Sequence, residues 1–154
     1  MSDFLWVLLI SMVPVIELRG AIPVGFGLDL PAWQTFLAAV IGNMLPAPFI
    51  ILFIRRIFAF IRRCWPWLNK LLDGIERRAE KKIETVQKYE LLWLLLFVAI
   101  PLPGTGAWTG SLIAALLDIR LRRALPAIFA GVVIAGIIMS LVSYGVSLGI
   151  QVIA

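Results

Sequence analysis

Glu17 and Arg19 interrupt an otherwise apolar region, in the segment Pro14-Val15-Ile16-Glu17-Leu18-Arg19-Gly20. A carboxylate and a guanidinium two residues apart can bind a charged group, exchange a proton, or neutralise each other. At the centre of a lone transmembrane helix each would cost at least ~2.5–3.5 kcal/mol, so both must face protein or water. A functional role is the default reading of such charges, and the bland one is a pair that only pins a turn. A second segment, Pro101-Leu102-Pro103-Gly104-Thr105-Gly106, carries a different chemistry. Its glycines allow close backbone approach, while Thr105 and Thr109 offer hydroxyls. Helices starting near Gly20 and Gly106 would aim free N–H groups and dipoles at one depth, and such ends attract anions.

Other chemistries are excluded by composition. The chain has no histidine, so imidazole acid–base catalysis and His-rich metal sites are absent. The single cysteine, Cys64, can form neither an internal disulfide nor a thiolate cluster. No Walker loop, dinucleotide fingerprint or catalytic triad occurs. The expectation is a protein that is not an enzyme and that uses no metal and no cofactor.

The elements that must hold these segments are set by hydropathy. Of 154 residues, 62% are hydrophobic and 15% charged, with a mean hydropathy of +1.01. Ordinary soluble domains run about 25% charged, so water is the wrong solvent for this chain. Uncharged stretches cover residues 30–54, 91–117 and 124–154, and about 20 apolar residues suffice to span a bilayer. No basic leader or small-residue cleavage site follows Phe4–Ile10, so a removable signal peptide is not expected.

Charge placement sets the topology. Ten of the 14 basic residues lie between Arg55 and Lys88, and three more are Arg120, Arg122 and Arg123. The positive-inside rule puts both clusters in the cytoplasm and explains the high pI without nucleic acid. Asp3 and Asp29 then mark the outside, together with both termini. Residues 32–54 run inward and residues 124–153 outward. Residues 91–117 start and finish on the cytoplasmic side, and prolines and glycines break them in the middle. They read as a re-entrant hairpin, since about ten helical residues rise ~15 Å, half of a ~30 Å core. Residues 4–28, broken at Pro14–Gly20, read as a second hairpin entering from outside. Two kinked spanning helices are the alternative, and they would leave one basic cluster on the wrong side.

The expected fold is therefore all-α, a single integral membrane domain over 1–154. The first repeat (1–54) and the second (91–154) each contain a re-entrant hairpin and a spanning helix, in opposite orientation. Inverted repeats with broken helices are a transporter architecture. Aligning Asp29 with Asp118 sets Ala38 on Ala127 and Gly42 on Gly131. Residues 55–90 form a basic cytoplasmic linker. Within it, Pro66 through Glu90 carry apolar residues at spacings of three and four, which predicts an amphipathic helix on the lipid surface with Trp65 and Trp67 as anchors.

Further polar residues are candidates of lower rank. Asn43, just before Pro46 and Pro48, either caps a helix break or lines a cavity. Ser140, Ser143, Tyr144 and Ser147 form a stripe on the last helix that serves as packing glue or lines a substrate path. Gly145 and Gly149 make a GxxxG that fits a helix contact or a dimer.

Glu17-Leu18-Arg19-Gly20-Ala21-Ile22-Pro23 and Pro101-Leu102-Pro103-Gly104-Thr105-Gly106-Ala107-Trp108-Thr109-Gly110 resemble the two signature segments of the small multidrug export proteins. That family looks like a prokaryotic relative of the DedA/VTT membrane proteins, and the resemblance covers nearly the whole chain. It implies facing re-entrant hairpins in a transporter of the prokaryotic inner membrane. Some DedA relatives are associated with translocating polyprenyl-phosphate carriers or scrambling lipids. DedA-type proteins typically divide acidic residues and arginines between the two hairpins, whereas here both charges lie in the first.

The functional expectation is a secondary transporter or flippase-like protein. It moves an amphiphilic, anionic, lipid-phosphate-like substrate through a midplane site, with proton coupling as one option. Expected substrate and coupling residues are Glu17, Arg19, Gly20, Asn43, Gly104, Thr105, Gly106 and Thr109. The alternatives are an exporter of cationic drugs and a non-transporting membrane scaffold. Expected partners are membrane lipid, the substrate and a second copy of the chain; two spanning helices make a thin shell, which favours a homodimer.

Overall fold

The computed structural model describes residues 3–64, 70, 73, 74, 89–102 and 104–153. Among them are seven helices: α1 (Asp3–Met12), α2 (Glu17–Gly27), α3 (Ala32–Met44), α4 (Pro46–Cys64), α5 (Glu90–Ala99), α6 (Ala107–Leu116) and α7 (Leu121–Ile153). Two continuous apolar stretches, Ala32–Ile54 and Leu121–Val146, have mean hydropathies of 2.2 and 2.5 and are long enough to cross a bilayer. Large apolar side chains such as Trp33, Phe49, Phe53, Trp93 and Leu141 lie on the outside, as expected where lipid rather than water is the solvent. This is a helical membrane protein.

Proline and glycine punctuate the helices at the expected places. Pro14 cannot donate a helix hydrogen bond, and α1 ends two residues before it. Ile100 precedes Pro101 and is extended (φ −74°, ψ 118°), which ends α5. Gly104 takes φ +84°, in the left-handed region that costs glycine little. Two short helices therefore pair on each side of a broken segment: α1 with α2, and α5 with α6.

The span expected over 32–54 is present as one apolar stretch, with its helical hydrogen bonding interrupted. It breaks at Leu45, because Pro46 and Pro48 withhold the N–H donors that the carbonyls of Gly42 and Met44 would use. Pro46 instead opens α4 at a first-turn position that tolerates it, and α4 continues to Cys64, past the expected boundary. The last helix begins at Leu121 rather than 124. The expected amphipathic helix over 66–90 lies outside the described residues apart from Lys70, Asp73, Gly74 and Tyr89, while Glu90 opens α5.

The ends of α2 and α6 are built alike. At α2, Asp29 donates to Phe26 and Leu30 to Gly25; at α6, Asp118 donates to Ala115 and Ile119 to Ala114. Both are Schellman caps with aspartate in the left-handed position, at φ 54° and 52°. The two caps are 89 positions apart, from Asp29 to Asp118. The same spacing relates Gly42 to Gly131. A Cβ at Gly42 would strike the Leu8 carbonyl and Ser11, and one at Gly131 would strike the Leu95 carbonyl and Val98. Each long helix thus lets the first helix of its own pair approach at the matching glycine.

The core joins the two halves through small residues. Ala21, Ala38, Ala39, Ala107, Ala114, Ala124 and Ala135 are buried with Ile22, Ile51, Ile128 and Val132. Small side chains allow close packing, which must drive association where lipid removes the hydrophobic advantage. The C-terminal half of α7 is tied down by Tyr144, whose hydroxyl donates to the Leu30 carbonyl (2.9 Å) and lies 2.8 Å from Thr35 Oγ1.

Candidate functional site

The break between α1 and α2 is conformationally costly. Val15 and Glu17 have φ of 77° and 50°, a region where β-branched residues are rare. Val15 is 85% exposed, so its side chain gains little packing in return. The effect is to start α2 at Glu17 and to send that side chain inward. Strained backbone held by its surroundings clusters at functional sites.

Glu17 is only 3% exposed. Its Oε1 accepts the backbone N–H of Trp108 at 3.2 Å. Trp108 is the second residue of α6, whose N-cap residue Gly106 supplies no side-chain cap. The first N–H groups of a helix have no intrahelical acceptor, so Glu17 performs from the other hairpin what a local aspartate or serine would otherwise do. Gly106 makes room for it: any Cβ there would fall on the Glu17 carboxylate.

Arg19 reaches the same loop in another direction. Its Nη2 donates to Thr105 Oγ1 at 2.8 Å and to the Ile100 carbonyl at 3.2 Å. Thr105 Oγ1 also lies 2.7 Å from the Ile100 carbonyl and 2.9 Å from that of Leu102, and donates to one of them. The Trp108 indole donates back to the Met12 carbonyl at 3.1 Å. The tips of both hairpins are therefore stitched together by three side chains, Glu17, Arg19 and Trp108. Polar capacity remains, since Glu17 Oε2 and Arg19 Nε are buried without a hydrogen-bond partner.

Of the eight residues singled out from sequence, Glu17, Arg19, Thr105 and Gly106 meet directly, and Gly104 turns the loop that carries two of them. Gly20 does not face the other hairpin. It sits inside α2, where a Cβ would meet Ile16 of its own segment; the returning helix starts three residues earlier than expected. Thr109 lies one residue beyond Trp108, half-buried. Asn43 is fully buried, and neither its Oδ1 nor its Nδ2 has a partner. Gly25 packs on Thr35, and Glu17 and Asn43 each lie eight residues, ~12 Å, along their own helix from that contact. The hydroxyl of Ser111, fully buried on α6, is likewise unpartnered.

Sequence reading missed the use made of Trp108. Its amide and indole both cross between hairpins, and the available signal was an aromatic with a polar edge two residues into a helix that begins at glycine. The Ile100 carbonyl was also missed; a residue before proline at a helix end leaves an acceptor exposed.

The long apolar helices and the joined tips define a helical membrane protein with a charged internal site. A family model described as "Putative small multi-drug export protein" matches residues 17–138, which include Glu17, Arg19 and the whole second tip. The chain belongs to that family. No curated protein and no solved structure matches the chain.

Proposed function

We propose that the chain is a secondary transporter or flippase-like protein of the prokaryotic inner membrane. It moves an amphiphilic substrate with an anionic, lipid-phosphate-like head group through a site between two re-entrant hairpins. The hairpins enter from opposite sides, both termini lie outside, and the basic segments around 55–90 and 118–123 face the cytoplasm. The matched caps at Asp29 and Asp118 and the matched glycines at Gly42 and Gly131 support an inverted repeat.

One observation carries the functional reading. The two charges expected at membrane depth, Glu17 and Arg19, both bond the second hairpin's tip, Glu17 at Trp108 and Arg19 at Thr105 and Ile100. Irregular backbone and unpartnered polar atoms at that depth require protein or a wet cavity around them, and a substrate path supplies the cavity. Arg19 and the α6 N-terminus favour an anion there. Proton exchange on Glu17 is the proposed coupling step, no enzymatic step is invoked, and the GxxxG at Gly145, where an added Cβ would meet nothing among the described residues, is the proposed homodimer contact.

Export of cationic drugs is the second reading. It is favoured by the family description and by the unpartnered second oxygen of Glu17. Reconstituted liposomes separate the two when loaded with an alkyl phosphate or an alkylammonium. The anionic reading expects alkyl phosphate flux that Arg19→Gln abolishes. Alkylammonium flux that Glu17→Gln abolishes would overturn it, and absence of flux for either amphiphile would favour a scaffold.

A further inference from the structure

Helix α6 begins with an anion site that already holds an anion from this chain. Its N-terminus follows Gly104-Thr105-Gly106, and the absence of a side chain at Gly106 leaves room for an anion beside the first amides of the helix. The occupant is the Glu17 carboxylate, 3% exposed, with Oε1 on the Trp108 amide and Oε2 buried against Gly106 without a partner. A carboxylate offers two oxygens in a plane. A tetrahedral phosphate offers three or more, and so can use the Trp108 amide, the neighbouring free amides of the first turn and Arg19 at once.

We infer that Glu17 is an exchangeable plug: the carboxylate holds the α6 N-terminus in the resting protein, and the phosphate group of an amphiphilic phosphomonoester takes its place during transport. This rests on the transport reading given above and adds the event at its centre. Three features fit exchange better than permanent structure. The bond is single, at 3.2 Å, although the carboxylate has two oxygens. The strained φ of Val15 and Glu17 holds the plug in place and would be released when it leaves. Arg19, two residues away, already bonds Thr105 of the same loop and stays to pair with the incoming charge.

The test is equilibrium binding by calorimetry on the full chain in dodecyl maltoside, with dodecyl phosphate as probe. Removing a competing charged ligand from a site is worth about tenfold in affinity. Glu17→Ala is expected to lower the Kd for dodecyl phosphate by about that factor, with Glu17→Gln intermediate. Adding Gly106→Ala to Glu17→Ala puts a methyl in the vacated space and is expected to cancel the gain. A gain that survives Gly106→Ala would be long-range charge relief and would overturn the exchange. So would an unchanged or higher Kd in Glu17→Ala, or in Glu17→Gln if the alanine variant does not purify as folded protein. Inorganic phosphate is expected to bind more weakly than dodecyl phosphate; equal affinity would overturn the amphiphile as the source of the anion. Liposome flux that needs Arg19, without tightening in Glu17→Ala, would sink the exchange alone. Tightening without flux would sink the transport reading alone.

Discussion

The carboxylate of Glu17 and the backbone amide of Trp108, 91 residues apart in sequence, form one of the hydrogen bonds that join the two hairpin tips. It makes Gly106 a sterically defined position. Gly106→Ala is expected to destabilise by about 1–3 kcal/mol, through overpacking at a buried site. The same substitution in a Glu17→Ala background is expected to cost less, because its obstacle is gone. A detergent thermal-melt cycle over the four proteins checks this, and additive losses would place the clash elsewhere.

Arg19 and Thr105 are expected to be coupled. A hydrogen bond to a charged group contributes about 1.5–3 kcal/mol, so Thr105→Val should lower the melting midpoint in the wild-type background. It should do far less in Arg19→Gln. Arg19→Lys should recover part of the coupling, since both bonds leave the single nitrogen Nη2 and an ammonium carries three donors on one nitrogen.

Asp29 and Asp118 are expected to behave as a pair. Left-handed backbone costs a non-glycine residue about 1–2 kcal/mol. Asp29→Gly and Asp118→Gly should each be neutral or stabilising by up to about 1 kcal/mol, and the corresponding valines should each destabilise by about 1–3 kcal/mol. Opposite signs at the two positions would break the equivalence of the caps.

Val15→Gly isolates the strain at the first tip. Val15 is exposed and has φ of 77°, so glycine relieves the backbone without losing packing. The midpoint is expected to rise by a few degrees, the scale of about 1 kcal/mol in a domain of this size. A fall would show that the strain is not held in the folded state.

Much of this architecture was legible because proline and charge speak directly in a chain this apolar. Pro14 and Pro101 announced the two breaks, and Asp29 and Asp118 announced matching ends. What remained hidden depends on depth and direction. Gly20 read as a tip residue because glycine permits tight turns, yet Val15 and Glu17 take the positive φ and Gly20 packs inside α2. The break at Leu45 followed from Pro46 and Pro48, but an apolar run of 25 residues reads as continuous when only hydropathy is weighed. The pairing of Glu17 with a backbone amide was out of reach, since periodicity says nothing about which main-chain donor a distant carboxylate will meet.

Thiol accessibility in intact cells tests the facing-hairpin architecture most directly. In a Cys64→Ala background, cysteines introduced singly at Ser2 and Arg122 are challenged with a membrane-impermeant maleimide before and after permeabilisation. Re-entrant hairpins with a basic cytoplasmic side expect labelling of position 2 in intact cells, and of position 122 only after permeabilisation. Labelling of position 122 from outside would mean that residues 91–117 cross the membrane, contradicting two hairpins that meet from opposite sides.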